Sequence, residues 1–248
     1  MEESQTIRSK MSFLENTTTG PQKRARRTFL YGTHGVGKST AASKWGNPIF
    51  LPTENGCGDL DVTRTALLES AKDVVAAIKE VRESNFDTLV LDSIDWTEKL
   101  VQRDLDRENF QDAFGRGAVE INRRVSSILR LLDSVIAAGK DVVLIGHAEI
   151  KTVTRPDGTS WSAYQPKLTK HAAASACEWC DELLFAQTVV LTQNKQVGLK
   201  QVSVGVDTGE RVLYTEGTPA YQAKHRKQGL KPSYNLSDIE SYLSDVSK

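Results

Sequence analysis

Cysteine is scarce in this 248-residue chain, with three in all. A disulfide framework needs an even and denser supply, so the chain is read as one that folds without cross-links in a reducing compartment. Cys177 and Cys180 form a C-E-W-C pair, but a structural zinc needs four ligands and no second pair exists to join them. Recruiting His171 and Cys57 would be required, and two reduced cysteines on a helix is the preferred reading. An excess of either charge is missing too: 32 Lys+Arg stand against 32 Asp+Glu, which leaves the net charge silent about a nucleic-acid partner. Also lacking is any run approaching the roughly 18 apolar residues of a membrane span. No apolar segment follows the basic residues of the opening MEESQTIRSK, so neither a secretory signal nor a membrane anchor is expected, and the cytoplasm is the expected location.

What is present suits one α/β domain, a length that supports a sizeable core without metal or disulfide. Residues 1–25 read as a flexible arm and 26–248 as a single domain. Thr28 to Tyr31 is a β-favouring run, followed by a glycine-rich loop and a helix from Ser39 to Trp45 that Gly46, Asn47 and Pro48 stop. Ile49 to Leu51 is a second short strand. Ser70 and Asp73 form a capping signal before Val74, Val75, Ile78 and Val81, which share a helical face. Thr88 to Asp92 (TLVLD) and Asp141 to His147 (DVVLIGH) read as buried strands, with a long amphipathic helix from Val119 to Ala138 between them. Strand and helix alternate, as in a mainly parallel sheet covered on both faces. Leu183 to Leu191, Leu199 to Val206 and Arg211 to Tyr214 then read as antiparallel additions, with Asp207, Thr208 and Gly209 as a hairpin turn between the last two. A short helix from Ser237 to Leu243 closes the chain.

One motif carries most of the chemistry. Gly32, Thr33, His34, Gly35, Val36, Gly37, Lys38 and Ser39, with Thr40 following, fit G-x-x-x-x-G-K-[ST] between a strand and a helix. Backbone N–H groups of such a loop cradle phosphates, the lysine reaches the outer ones, and the serine hydroxyl is a ligand for Mg²⁺. ATP and Mg²⁺ are the implied cofactors. Asp92, at a strand tip, is the second metal-holding candidate. Ser93 follows it where many P-loop ATPases place a glutamate, so a water-activating base must come from elsewhere. Glu54, just past the Ile49 to Leu51 strand, either is that base or decorates a turn; His147, at the end of the Asp141 strand, either senses the terminal phosphate or is structural.

Together these stretches (Gly32 to Ser39, PIFLPTENG, TLVLDSID, VVLIGHAE) resemble the RecA-like core ATPases, and within them the short phage-encoded Sak-type single-strand annealing and recombination proteins. The late PAYQAKHRKQGL is similar to their A-K-x-R stretch, matched by Ala223, Lys224 and Arg226. The resemblance, over roughly Thr28 to Leu236, implies Glu54 as catalytic base, Asp92 as the Mg²⁺ carboxylate and His147 as the γ-phosphate sensor. It implies single-stranded DNA as partner, held by a loop from Glu149 to Thr169 that offers Lys151, Arg155, Trp161, Tyr164 and Lys167. It further implies self-association into a filament or ring, Lys224 and Arg226 as phosphate-reaching cations within or across subunits, dealings with a single-strand-binding protein, and a host cytoplasm. The chain lacks the flanking domains of full-length RecA, so strand exchange by the chain alone is not implied. Three rivals rank lower: a non-enzymatic ATP-dependent switch, a P-loop small-molecule kinase, and an AAA+ remodelling ATPase, which the Asp92-Ser93 pair and the want of a helical lid place last.

Overall fold

In the computed structural model, residues 17–20, 24–108, 110, 116–197 and 200–247 are described. Most of the expected N-terminal arm, and Leu199, lie outside them. Three short apolar runs become strands within a residue or two of expectation: β1 (Arg27–Gly32), β2 (Pro48–Pro52) and β4 (Thr88–Asp92), with a two-residue β3 (Thr63–Arg64) at the sheet's margin. Side chains alternate across the sheet, so Phe29 and Tyr31 enter one core while Leu30 enters the other. Both faces are therefore covered. On the first lie α2 (Ala71–Glu83), α3 (Ile94–Arg107), α4 (Arg116–Ala137) and α5 (Lys170–Trp179); on the second lie α1 (Lys38–Ala42) and α6 (Ile239–Ser247).

Local chemistry accounts for the helix ends. The Ser70 hydroxyl accepts from the Asp73 N–H and starts α2, and Asp73 answers by accepting from the Glu69 N–H. Val74, Ala77, Ile78 and Val81 are the buried face of α2, with Val75 only partly covered. The helix after the glycine-rich loop is shorter than expected, running from Lys38 to Ala42 and tightening into turns through Trp45, whose N–H reaches the Ala42 carbonyl.

Two strands are much longer than their apolar cores. β5 (Asp141–Thr154) runs in the parallel sheet as far as His147, then continues as an antiparallel pair with β6 (Ser160–Pro166). The expected loop from Glu149 to Thr169 is thus mainly a β-hairpin, because the polar, β-branched segment Lys151 to Thr154 finds backbone partners in β6. Likewise β7 (Glu182–Val197) pairs with β1 at its start and then with a long antiparallel β8 (Lys200–Tyr214). Asp207, Thr208 and Gly209 do not turn the chain back. They form a bulge within β8, where the register shifts between Thr188 and Val190. The Asp207 carboxylate accepts from the Gly209 N–H and Gly209 takes φ +73, the local chemistry of a turn used inside a strand. β9 (Ser233–Asn235) then pairs with β8, and a 3₁₀ turn (Leu236–Asp238) enters α6.

The sheet order is β3-β2-β4-β5-β1-β7-β8-β9, with β6 paired to β5. The strands from β3 to β7 in that order are parallel and β8 and β9 antiparallel, the expected α/β architecture with antiparallel additions. Because β5 lies between β1 and β4, His147 stands level with Gly32 on one side and two residues past Ile145, the partner of Asp92, on the other. No helix among the described residues is long and apolar enough to cross a membrane.

Candidate functional site

The loop that leaves β1 is shaped by close backbone approach. A Cβ on Gly32 would lie 2.1 Å from the Ala186 carbonyl oxygen of β7, so only glycine fits, and the Thr33 N–H donates to that same oxygen at 3.1 Å. Gly35 and Gly37 take φ of +71 and +97, the left-handed region that glycine enters without a Cβ clash. Lys38, buried, is folded back into the loop, its Nζ donating to the Gly32 and Thr33 carbonyls at 3.1 and 2.9 Å. Burial lowers its pKa, and the carboxylates of Asp92, Asp95 and Glu54 work against that drop.

Ser39 and Asp92 are brought together as the sequence reading requires: Ser39 Oγ donates to Asp92 Oδ2 at 2.6 Å. The same oxygen accepts from Cys57 Sγ at 3.2 Å. Burial raises that thiol to about 12, so Cys57 serves here as a neutral donor. A hydroxyl and a carboxylate oxygen side by side at the foot of a phosphate-binding loop are the donor set that Mg²⁺ prefers. The ends of β2 and β4 are laced to each other, with the Thr53 N–H on the Asp92 carbonyl and the Ser93 N–H on Thr53 Oγ1, both at 2.8 Å. The Asp92-Ser93 peptide is cis.

Glu54 follows directly. Its Oε1 accepts from Ser93 Oγ at 2.9 Å and lies 3.9 Å from His147 Nδ1. Burial raises the Glu54 pKa; the Ser93 hydrogen bond and His147 oppose this, while Asp95 and Asp92 add to it. This partly buried carboxylate lines the same cavity as Lys38. That cavity, about 380 Å³, is lined by the loop, Glu54, Asp92 and His147.

Asp95 is the residue that the sequence reading missed. Only 3% exposed, it accepts from the His147 backbone N–H at 3.2 Å and meets the ring Nδ1 at 3.0 Å. Burial alone would raise its pKa, but the bonds from His147 and Ser93 outweigh that and lower it. His147 is therefore fixed by a carboxylate three residues past Asp92, and the D-S-I-D spacing was the available signal. His34, in the loop, stacks on His147 with ring centres 4.3 Å apart. Desolvation and the neighbouring His147, Lys38 and Lys167 lower the His34 pKa, so it favours the neutral ring.

The remaining candidates divide. Lys151 pairs with Glu149 at 2.9 Å, and Arg155 lies over the Trp161 ring at 5.0 Å. The pairing register sets Lys151 and Trp161 on one face of the β5–β6 hairpin and Tyr164 on the other. Tyr164 packs against Phe185, 5.2 Å between centres, and so belongs to an aromatic cluster rather than to a shared stacking surface with Trp161. Lys167 is exposed near His34. Lys224 is bonded through its backbone to Leu183, and Arg226 pairs with Asp181 at 3.3 Å. Both sit toward the start of β7, away from the phosphate loop, and neither lines its cavity. The backbone bridge between Leu183 and Lys224 holds that segment at the start of β7. Cys180 is buried and donates to the Cys177 carbonyl at 3.3 Å, and no cluster of metal-ligating side chains is found among the described residues.

The comparison with curated proteins returned no match. Residues 24–227 match the family described as an AAA domain, a span that takes in every element from β1 through β8. The name is the one the sequence reading placed last as a remodelling machine; what the match carries is the ATPase core, and the described residues after β8 form a strand, a turn and one helix rather than a helical lid. On the strength of that match and of the loop, carboxylates and histidine gathered around one cavity, the chain belongs to the AAA-domain family of P-loop ATPases.

Proposed function

We propose that the protein is a RecA-like core ATPase of the Sak type that grips single-stranded DNA during recombination, annealing or replication, its grip set by the nucleotide. The observation that carries this reading is the path of β5. One continuous strand runs from His147 in the phosphate cavity into the projecting hairpin, and the Lys167 N–H returns to the His147 carbonyl at 2.8 Å. A shift of His147 on loss of the terminal phosphate has a direct route to the hairpin.

At the cavity, Glu54 accepts a proton from water as the water oxygen attacks the γ-phosphorus and the bond to the bridging oxygen of ADP breaks. Lys38 and the loop N–H groups hold the charge that develops on the phosphates. Ser39 and Asp92 would hold Mg²⁺, which when bound neutralises phosphate charge. Asp95 keeps His147 oriented toward Glu54 and the loop.

A groove of about 820 Å³ at the base of the hairpin supports a strand-binding role, being lined by Lys151 and Lys170 together with Gln165, Tyr221 and Gln222. Phosphates would lie along the lysines, with Trp161 and Arg155 further out as a stacking platform. Self-association into a ring or filament completes the reading, with Lys224 and Arg226 presented to a neighbouring subunit's phosphates. A single-strand-binding protein is the natural partner of such a complex.

The test is ATP hydrolysis with and without single-stranded DNA, with Lys38→Ala as control. Stimulation by DNA, lost in the control, supports the proposal. Turnover indifferent to any nucleic acid removes the DNA claim and leaves a protein-directed ATPase, and nucleotide binding with no turnover leaves a switch. Sedimentation with ATP analogue and DNA checks assembly; a monomer at every concentration removes it.

A further inference from the structure

The β7–β8 hairpin brings a residue to the phosphate loop that no motif predicts. Thr188 lies two residues along β7 from Ala186, whose carbonyl takes the Thr33 N–H, and Thr188 pairs with Arg211 of β8. Arg211 is thereby carried to the edge where the loop leaves β1. Its Nη1 lies 3.1 Å from where a side chain on Gly37 would begin. The guanidinium occupies the space that the glycine leaves open.

Two cavities meet at this point. The larger is the phosphate cavity already described. The smaller, about 190 Å³, lies between α1 and the Leu236 to Glu240 segment, and Gly37, Thr40 and Arg211 line both. Arg211 is exposed, and among the described residues it has no carboxylate partner; Glu240, on the wall of the smaller cavity, pairs instead with Lys44 at 3.7 Å. A planar fork of donors without an acid to hold it, resting on a phosphate-binding loop, suits paired recognition of non-bridging phosphate oxygens.

We propose that Arg211 is a phosphate-binding residue supplied within the same subunit, and that it grips the α- and β-phosphates of the nucleotide. The inference rests on the ATP-binding reading of the loop. Glu54 and His147 mark the γ end of the larger cavity and do not line the smaller one, whereas Arg211 stands at the opposite, shared end beside Gly37 and Thr40. The β7–β8 hairpin would then register whether any nucleotide is bound, and the β5–β6 hairpin whether it carries a third phosphate.

Fluorescent ATP and ADP analogues titrated against the wild type, Arg211→Ala and Arg211→Lys test this. A charge-assisted bond lost from an otherwise intact site weakens both nucleotides by about 10-fold or more, and by the same factor, with lysine recovering part of the loss as a point charge. Loss confined to ATP overturns the assignment to the inner phosphates, and unchanged affinity for both overturns the proposal. Failure of the wild type to bind either nucleotide would instead sink the ATPase reading of the loop. Melting curves on both variants establish that the fold is intact; Arg211→Gln replaces any that is not.

Discussion

The two hairpins that project past the phosphate edge are built alike and anchored differently. β5–β6 is tied back to the body by polar bonds: Trp161 Nε1 donates to the Pro219 carbonyl at 2.7 Å and the Tyr164 N–H to that of Ala220 at 2.7 Å. β7–β8 carries a bulge at Asp207 to Gly209 and exposes Val190 and Leu191 at 58% and 57%. Each has one residue at its root lining the cavity beside the glycine-rich loop, His147 for the first and Arg211 for the second. A single cleft is thus flanked by two hairpins which, on the proposals above, answer to different parts of one ligand, and perturbations that touch only one end of the phosphate chain test whether they do.

The largest effect is expected from Glu54→Gln. Loss of a positioned general base lowers hydrolysis by roughly 10²- to 10⁴-fold, while ADP and ATP affinities stay near the wild-type values in a binding titration. The pH profile sharpens this. Burial raises the Glu54 pKa, and the base acts only when deprotonated, so wild-type hydrolysis falls as pH drops through a midpoint above the ordinary glutamate value of about 4.3. The variant's residual rate loses that limb. An unchanged limb would show that another group titrates.

Asp95→Asn comes next. The carboxylate fixes His147 through both the ring and the backbone N–H, and its loss misplaces the histidine without removing it. A fall in kcat of roughly 10- to 100-fold is expected from such misplacement, with DNA stimulation reduced in parallel and ADP affinity retained. Stability gives an independent readout. The folded Asp95 pKa is lowered, so its contribution is present above the unfolded value of about 3.9 and is lost as pH falls through the folded one. Acid denaturation followed by circular dichroism should show a shallower pH dependence in the variant over that window. A histidine held by other means would leave kcat unmoved.

Why Asp95 escaped the sequence reading, while Asp92 did not, is a matter of range. β1, β2 and β4 are runs of four or five buried residues, and burial on both faces writes itself into composition over a few positions. The glycine-lysine-serine loop is legible for the same reason, since its chemistry is contiguous. Asp95 acts on a residue 52 positions away, and the D-S-I-D spacing alone does not say which distant group it meets. Arg211 was hidden twice: by distance from Gly37, and by Asp207 to Gly209, whose turn chemistry suggested a hairpin that would have sent the strand elsewhere. The outer half of β5 was read as loop because Lys151 to Thr154 buries little, and its order comes from pairing with β6 rather than from a core.

The smallest expected effect concerns Trp161, and it decides what the β5–β6 hairpin is for. Its indole donates to Pro219 and lies under Arg155, so the ring could be a strut that fixes the hairpin or a surface for a nucleobase. Trp161→Phe keeps a ring and gives up the Pro219 bond; Trp161→Ala gives up both. If the ring stacks on a base, Trp161→Ala weakens single-stranded DNA by about 1–3 kcal/mol and Trp161→Phe retains most of the affinity, read by fluorescence anisotropy of a labelled oligonucleotide. If it is a strut, the two variants lose affinity alike and hydrogen exchange rises in β6 for both. The second outcome would return nucleic-acid binding to the lysine groove alone and leave the hairpin as the part that moves.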